Sequence, residues 1–152
     1  MRVRSFIFIF LAAVLCVAIT SPGADTKKKP PVFEVQLLWG TDLAKSPNAE
    51  HKPVDPDVEK RIQSLPLKFK HYFLVNRNKV VVALGTEQKV DVSEKCSVLV
   101  KNLDNMKFQV TFIGKTKQQT QRTQEFPLQE MLVHGGNAPG SNAWLVVVKW
   151  IE

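Results

Sequence analysis

Beyond its first 24 residues this chain has one cysteine, Cys96, and so no intramolecular disulfide to staple it. Its fold must be held by packing. None of the seven asparagines opens an Asn-x-Ser/Thr acceptor, so N-glycosylation is not expected and a bacterial secretory route is favoured. The three histidines, His51, His71 and His134, lack the spacing to each other, to cysteine or to carboxylates that a zinc site needs. No Gly-x-Ser-x-Gly elbow accompanies His134-Gly135-Gly136, which removes the esterase reading of that tripeptide and leaves a turn after a strand. There is no glycine-rich phosphate loop, and no dense basic face interleaved with aromatics. Metal ions, cofactors and nucleic acid are therefore not expected.

The longest apolar run, Phe6 to Ile19, is 14 residues. That is short of the ~20 needed to cross a bilayer as a helix. Arg2 and Arg4 precede it, and Thr20-Ser21-Pro22-Gly23-Ala24 follows. A basic start, a short hydrophobic segment and a small-residue exit form a secretory signal peptide over residues 1–24. Cleavage near Ala18, Ser21 or Ala24 would release about 130 residues outside the cytoplasm, secreted or periplasmic, with no stable transmembrane segment. The bulky Leu15 before Cys16 argues against lipoprotein processing. The formal charge of the whole chain is +7, and the mature chain stays mildly basic after losing Arg2 and Arg4. Such a balance suits acidic partners and also serves simple solubility.

Residues 25–31, with three lysines before two prolines, read as a flexible basic leader. A single β-rich domain is expected over 32–152. Val32 to Trp39 alternates, with Phe33, Val35, Leu37 and Trp39 on one face and Glu34 and Gln36 on the other, the pattern of a half-buried strand. A long loop, 40–54, follows. Asp55 as cap, Pro56 at the first position, and Val58, Ile62 and Leu65 on one face predict one short helix near 56–65, ended by Pro66. The remainder reads as strand: 68–75, 80–84 after an Asn76-Arg77-Asn78 turn, 88–92, 96–103, 107–113, 131–134 and, beyond a turn-rich 135–142, 143–151. Asp104-Asn105 predicts a tight hairpin. The last strand is apolar on both faces and should be central, covered by the helix. The fold class is mainly β, a single β-sandwich or open barrel with one short helix.

Lys115 to Glu125 has no large apolar residue. It reads as a water-exposed sheet edge guarded by Lys115, Lys117 and Arg122, or as a polar strip offering Gln119 and Gln121 to a glycan or an extended partner strand. Trp144 and Trp150 read as core. Trp39, at a strand end, and Tyr72 could instead face a ligand. Cys96 heads an alternating run and is expected to be buried rather than reactive.

Leu38-Trp39-Gly40-Thr41-Asp42, Lys70 to Arg77, Ser93-Glu94-Lys95-Cys96 and the ending Gly135-Gly136-Asn137 before Ala143-Trp144 together carry a resemblance. They resemble a group of small secreted bacterial β-rich proteins of unknown function. That group shares a Phe-x-x-Tyr-Phe-x-Val-Asn-Arg-like strand and a Gly-Gly-Asn turn before a Trp-containing last strand. The resemblance implies secretion and a β-rich domain, and no activity.

No catalytic constellation stands out. The expectation is a non-catalytic extracytoplasmic domain mediating macromolecular interaction, with an envelope or secreted protein as partner. A carbohydrate-binding module holding polysaccharide is the alternative, using Trp39, Tyr72 or the Gln/Thr strip; the candidate ligand-binding residues are Trp39, Tyr72, Lys115, Lys117, Gln119, Gln121 and Arg122. A small hydrolase or thiol-dependent enzyme built on Cys96 comes third.

Overall fold

A computed structural model describes residues 29–104 and 106–152. The expected signal peptide and the first part of the leader lie outside the described residues. Among the described residues nine strands and one helix follow in the order β1 (Val32–Thr41), β2 (Lys52–Pro53), α1 (Pro56–Gln63), β3 (His71–Val81), β4 (Glu87–Ser93), β5 (Cys96–Asp104), β6 (Lys107–Gly114), β7 (Gln119–Glu125), β8 (Met131–Ala138) and β9 (Asn142–Trp150). They form a five-stranded sheet, β2-β3-β1-β9-β8, and a four-stranded sheet, β4-β5-β6-β7, every pairing antiparallel. The two sheets face each other as a β-sandwich, and among the described residues neither closes into a barrel. Among the described residues no helix is long and apolar enough to cross a membrane.

Alternation sets the inner face of the larger sheet. Phe33 pairs with Trp150, Val35 with Val148, Leu37 with Val146 and Trp39 with Trp144, all turned toward the smaller sheet. They meet Val98, Val100, Phe108, Val110 and Phe112 of β5 and β6. At one end of the sandwich the space is filled by rings: Phe33 lies 4.8 Å from Phe108 and 5.6 Å from Phe126, edge to face, and 6.0 Å from Trp150, stacked.

The outer face of the larger sheet is covered too. Leu38, Leu74, Leu145 and Val147 form a second cluster with Val58 and Ile62 of α1. The helix thus covers β9, which is central and buried on both faces as its sequence implies. Glu34 and Gln36, expected on a solvent face, are instead buried at 8% and 1% exposure. Gln36 Nε2 donates to Glu34 Oε1 at 2.6 Å and to Asp55 Oδ2 at 3.3 Å. The carboxylate of Asp55 also accepts from Arg77 at 2.5 Å, so it ties the helix to the sheet and makes no cap bond to the helix.

Two segments expected as turns lie inside strands. Asn76-Arg77-Asn78 continues β3 past an irregularity: Leu37 pairs with Asn76 and Leu38 with Leu74, leaving Val75 as an extra residue. Asn76 stays in place because its Nδ2 donates to the Val92 carbonyl at 3.0 Å, a bond between the sheets. Gly135 to Ala138 extends β8, and the turn shrinks to Pro139-Gly140-Ser141, with Gly140 at φ 71° and Ser141 at φ 57°. The glycines are there for close approach. A Cβ on Gly135 would clash with Leu145 Cδ2, and one on Gly136 would lie 2.7 Å from Trp144 Cζ2. The β5–β6 hairpin forms as expected, and β7 is an edge strand. At the leader's end, the Pro31 carbonyl accepts the Val82 N–H at 3.0 Å.

Candidate functional site

The end of the sandwich opposite the ring cluster is open. Cys96, Gly114 and Ala138 occupy inner positions there in place of large side chains, and the sheets leave a cleft of about 620 Å³ between them. That volume lies in the range of ligand pockets. Its walls are Leu37 and Trp39 from β1, Trp144 from β9, Phe112 from β6 and Val75 at the β3 irregularity. Val75 is 37% exposed, an apolar side chain held partly in water by the extra residue in its strand. His51 closes part of the rim from the 40–54 loop, its Nδ1 2.6 Å from Ser46 Oγ.

The mouth is cationic. Cys96 pairs with Gly114, which brings the next residues outward, Lys95 and Lys115, to adjacent positions at the end of the smaller sheet. Both line the cleft. Neither has an ion-pair partner among the described residues, and no aspartate or glutamate lines the cleft. Two neighbouring like charges without a counter-ion are mutually repulsive and favour an anion beside them. Trp39 adds an indole Nε1 that is buried and has no hydrogen-bond acceptor among the described residues.

Cys96 and His134 line the cleft as well. Cys96 is half-buried, and burial pushes its thiol above the ordinary value, so the thiolate that nucleophilic chemistry requires is disfavoured. Its one polar contact is a weak 4.0 Å approach to the Ser97 carbonyl. His134 stacks on Phe112 with ring centroids 4.4 Å apart and lies 5.8 Å from Trp144. Burial pushes its imidazole below the ordinary value, and the positive charge of Arg122 adds to this. A neutral imidazole sandwiched by aromatics serves as wall. Among the described residues no three His, Cys, Asp or Glu converge as metal ligands.

Of the residues expected at a site, Trp39 and Lys115 meet in this cleft. Tyr72 does not: it pairs with Gly40 on the helix side of the sheet and packs against the second cluster, so its ring stands on the opposite face from Trp39. Lys117 is in the exposed β6–β7 loop. Gln119 and Gln121 alternate with Gln118 and Thr120, which line the cleft, so they face away from it; Arg122 shares the face of Thr120 but stays exposed. Trp144, expected as core, forms part of the cleft wall, whereas Trp150 belongs to the ring cluster. Leu37, Val75, Lys95, Phe112 and Gly114 carry no site signal in the sequence. They become a site only because the two sheets end in small residues at the same place.

The chain matches no protein-family model, no curated protein and no solved structure.

Proposed function

We propose that this protein is a non-catalytic binding module acting outside the cytoplasm, and that the open end of its sandwich receives an apolar group of a secreted or envelope macromolecule. The observation that carries the reading is the cleft itself: indole, phenyl and aliphatic walls under a mouth with two unpaired lysines. Apolar surface held open to water is stabilised when a partner covers it, by about 25 cal/mol for each Å² removed from water. Burial moves the titration of the thiol in the cleft away from the nucleophile role, which speaks for binding over thiol catalysis. The address rests on the Arg2, Arg4 and Phe6–Ile19 pattern. A polysaccharide partner is the second reading, supported by the indoles of Trp39 and Trp144 in one wall.

Gly114→Phe tests the site. Gly114 shares the inward face with Phe112, its φ is not positive, and a Cβ there would meet only the Gln118 carbonyl oxygen, at 3.9 Å. A phenyl ring therefore enters the cleft without backbone strain. Envelope and extracellular material retained by the immobilised protein at high salt should be lost with Gly114→Phe, and likewise with Val75→Lys at the exposed part of the wall. Equal retention by the protein and both variants would remove the cleft as the binding site.

A further inference from the structure

β7 is the outermost strand of the smaller sheet, and six of its seven residues are exposed, Gln124 being the exception. One backbone edge pairs with β6; the other has no strand partner among the described residues. Such an edge is a template for an added strand. Its side chains are polar throughout, so the template is present without the apolar stripe that drives self-aggregation.

The direction of an added strand follows from where β7 begins. Gln118 and Thr120 line the cleft, and the loop before them holds Lys115 and Lys117. A strand pairing antiparallel to β7 ends with its carboxyl terminus at the cleft mouth. A parallel strand would instead bring an amino terminus there. The unpaired Lys95 and Lys115 decide between these, since they attract a carboxylate and repel an ammonium group. The apolar walls accept the side chain of the last residue.

We propose, resting on the cleft as the binding site, that the domain captures the extended C-terminal segment of another protein. The segment adds antiparallel to β7, and about three further residues, at ~3.3 Å each, carry its end past the start of β7 into the cleft, where an apolar last side chain lies between Trp39, Trp144 and Phe112 and the terminal carboxylate meets Lys95 and Lys115. Main-chain bonds along β7 supply affinity that tolerates sequence, and the cleft and cations select the terminus.

The test uses two synthetic peptide libraries randomised over about eight residues, enough for a short edge strand and the end that enters the cleft. One library ends in a free carboxylate and the other in an amide. The free-acid library should yield binders with an apolar last residue that hold at least about tenfold tighter than their own amides. The double variant Lys95→Ala, Lys115→Ala should erase that difference, and Gly114→Phe should weaken acid and amide alike. N-methylation of the peptide amides that face β7 should abolish binding. Amides binding as well as acids, N-methylated peptides binding undiminished, or no enrichment from either library would each overturn the proposal. If peptides fail while envelope material or an oligosaccharide is still retained in a Gly114→Phe-sensitive way, the cleft stands as a site and only the C-terminal segment falls. If nothing retained responds to Gly114→Phe, the cleft falls as well.

Discussion

Gly136 and Trp144 face each other across the β8–β9 ladder so closely that a Cβ on Gly136 would sit 2.7 Å from Cζ2 and 2.9 Å from Cε2 of the indole. The indole covers the glycine and is held as cleft wall by the absence of a side chain beneath it. Gly136→Val should therefore push the indole off β8. Overpacking of this kind typically costs about 1–3 kcal/mol. Urea unfolding followed by tryptophan emission checks both parts: a lower midpoint, and a shifted native emission. A native spectrum and midpoint unchanged from the wild type would contradict this account of the wall.

How much of this was legible beforehand differs from element to element. β9 announces itself because both of its faces are apolar, and the β5–β6 hairpin because Asp104-Asn105 separates two alternating runs. The polar strand β7 is recognisable as an edge for the opposite reason. Asn76-Arg77-Asn78 and Gly135-Gly136-Asn137 look like turns because local chemistry favours turns there. What keeps them extended lies on other elements: Val92 for Asn76, Asp55 and Glu34 for Arg77, and the facing Leu145 and Trp144 of β9 for the glycines. Glu34 and Gln36 mislead similarly, since a strand face reads as wet until a helix is known to cover it. The cleft was half legible. Trp39 and Lys115 could be singled out from residue type, but the meeting of Val75, Phe112, Gly114 and Lys95 with them depends on where two separate sheets stop.

Arg77 bridges Asp55, at 2.5 Å, and the buried Glu34, at 3.8 Å. The two acids lie on different elements, so one planar guanidinium joins the helix N-terminus to the sheet. Arg77→Ala leaves Glu34 and Gln36 under the helix without a cation. The guanidinium is 35% exposed, so water screens part of the effect, and a loss of about 1–3 kcal/mol is expected. Arg77→Lys should recover less than half of it, because an ammonium cannot span both carboxylates. A double-mutant cycle with Glu34→Gln should show a coupling of about 0.5 kcal/mol or more. Additive effects would mean that Arg77 does not act through Glu34 and that its contribution lies in Asp55 and packing.

The β6–β7 loop contains a strained residue. Gly114 and Gln118 close a three-residue loop through the Gly114 N–H to Gln118 carbonyl bond of 2.9 Å, and the Lys117 N–H returns to the Gly114 carbonyl at 2.9 Å. Lys117 then takes φ 58°, the left-handed position that such loops normally give to glycine. A side chain there costs about 1–2 kcal/mol, against which glycine loses roughly 0.5–1 kcal/mol to its freer unfolded chain. Lys117→Gly should raise stability by roughly 0.5 kcal/mol or more, read as a higher urea midpoint at unchanged slope. Lys117→Val, branched at Cβ, should lower it. The same midpoint for all three would mean that the loop relaxes freely.

His134 gives the fold a pH dependence above the range where carboxylates titrate. In the folded protein its imidazole lies below the ordinary 6.5, first because it is buried against Phe112 and Trp144, and second because Arg122 faces it from β7. The cations Lys95 and Lys115, the thiol of Cys96 and the imidazole of His51 line the same cleft, and among the described residues no carboxylate lines it. The unfolded chain therefore binds a proton at a higher pH than the folded one. Stability is fully present above 6.5 and declines as the pH falls toward the lower folded value. Asp57, whose carboxyl is lowered by its bond to Lys149, has the same sign but acts only below its ordinary 3.8. The two contributions are thus separated in pH. Urea midpoints measured from about pH 7.5 down to about pH 5 should fall for the wild type. His134→Phe, which keeps an aromatic ring between Phe112 and Trp144, should flatten that fall while leaving the steeper acid loss intact. Equal slopes for the two proteins would place the proton uptake elsewhere, and would show that the stacked imidazole is as free to ionise folded as unfolded.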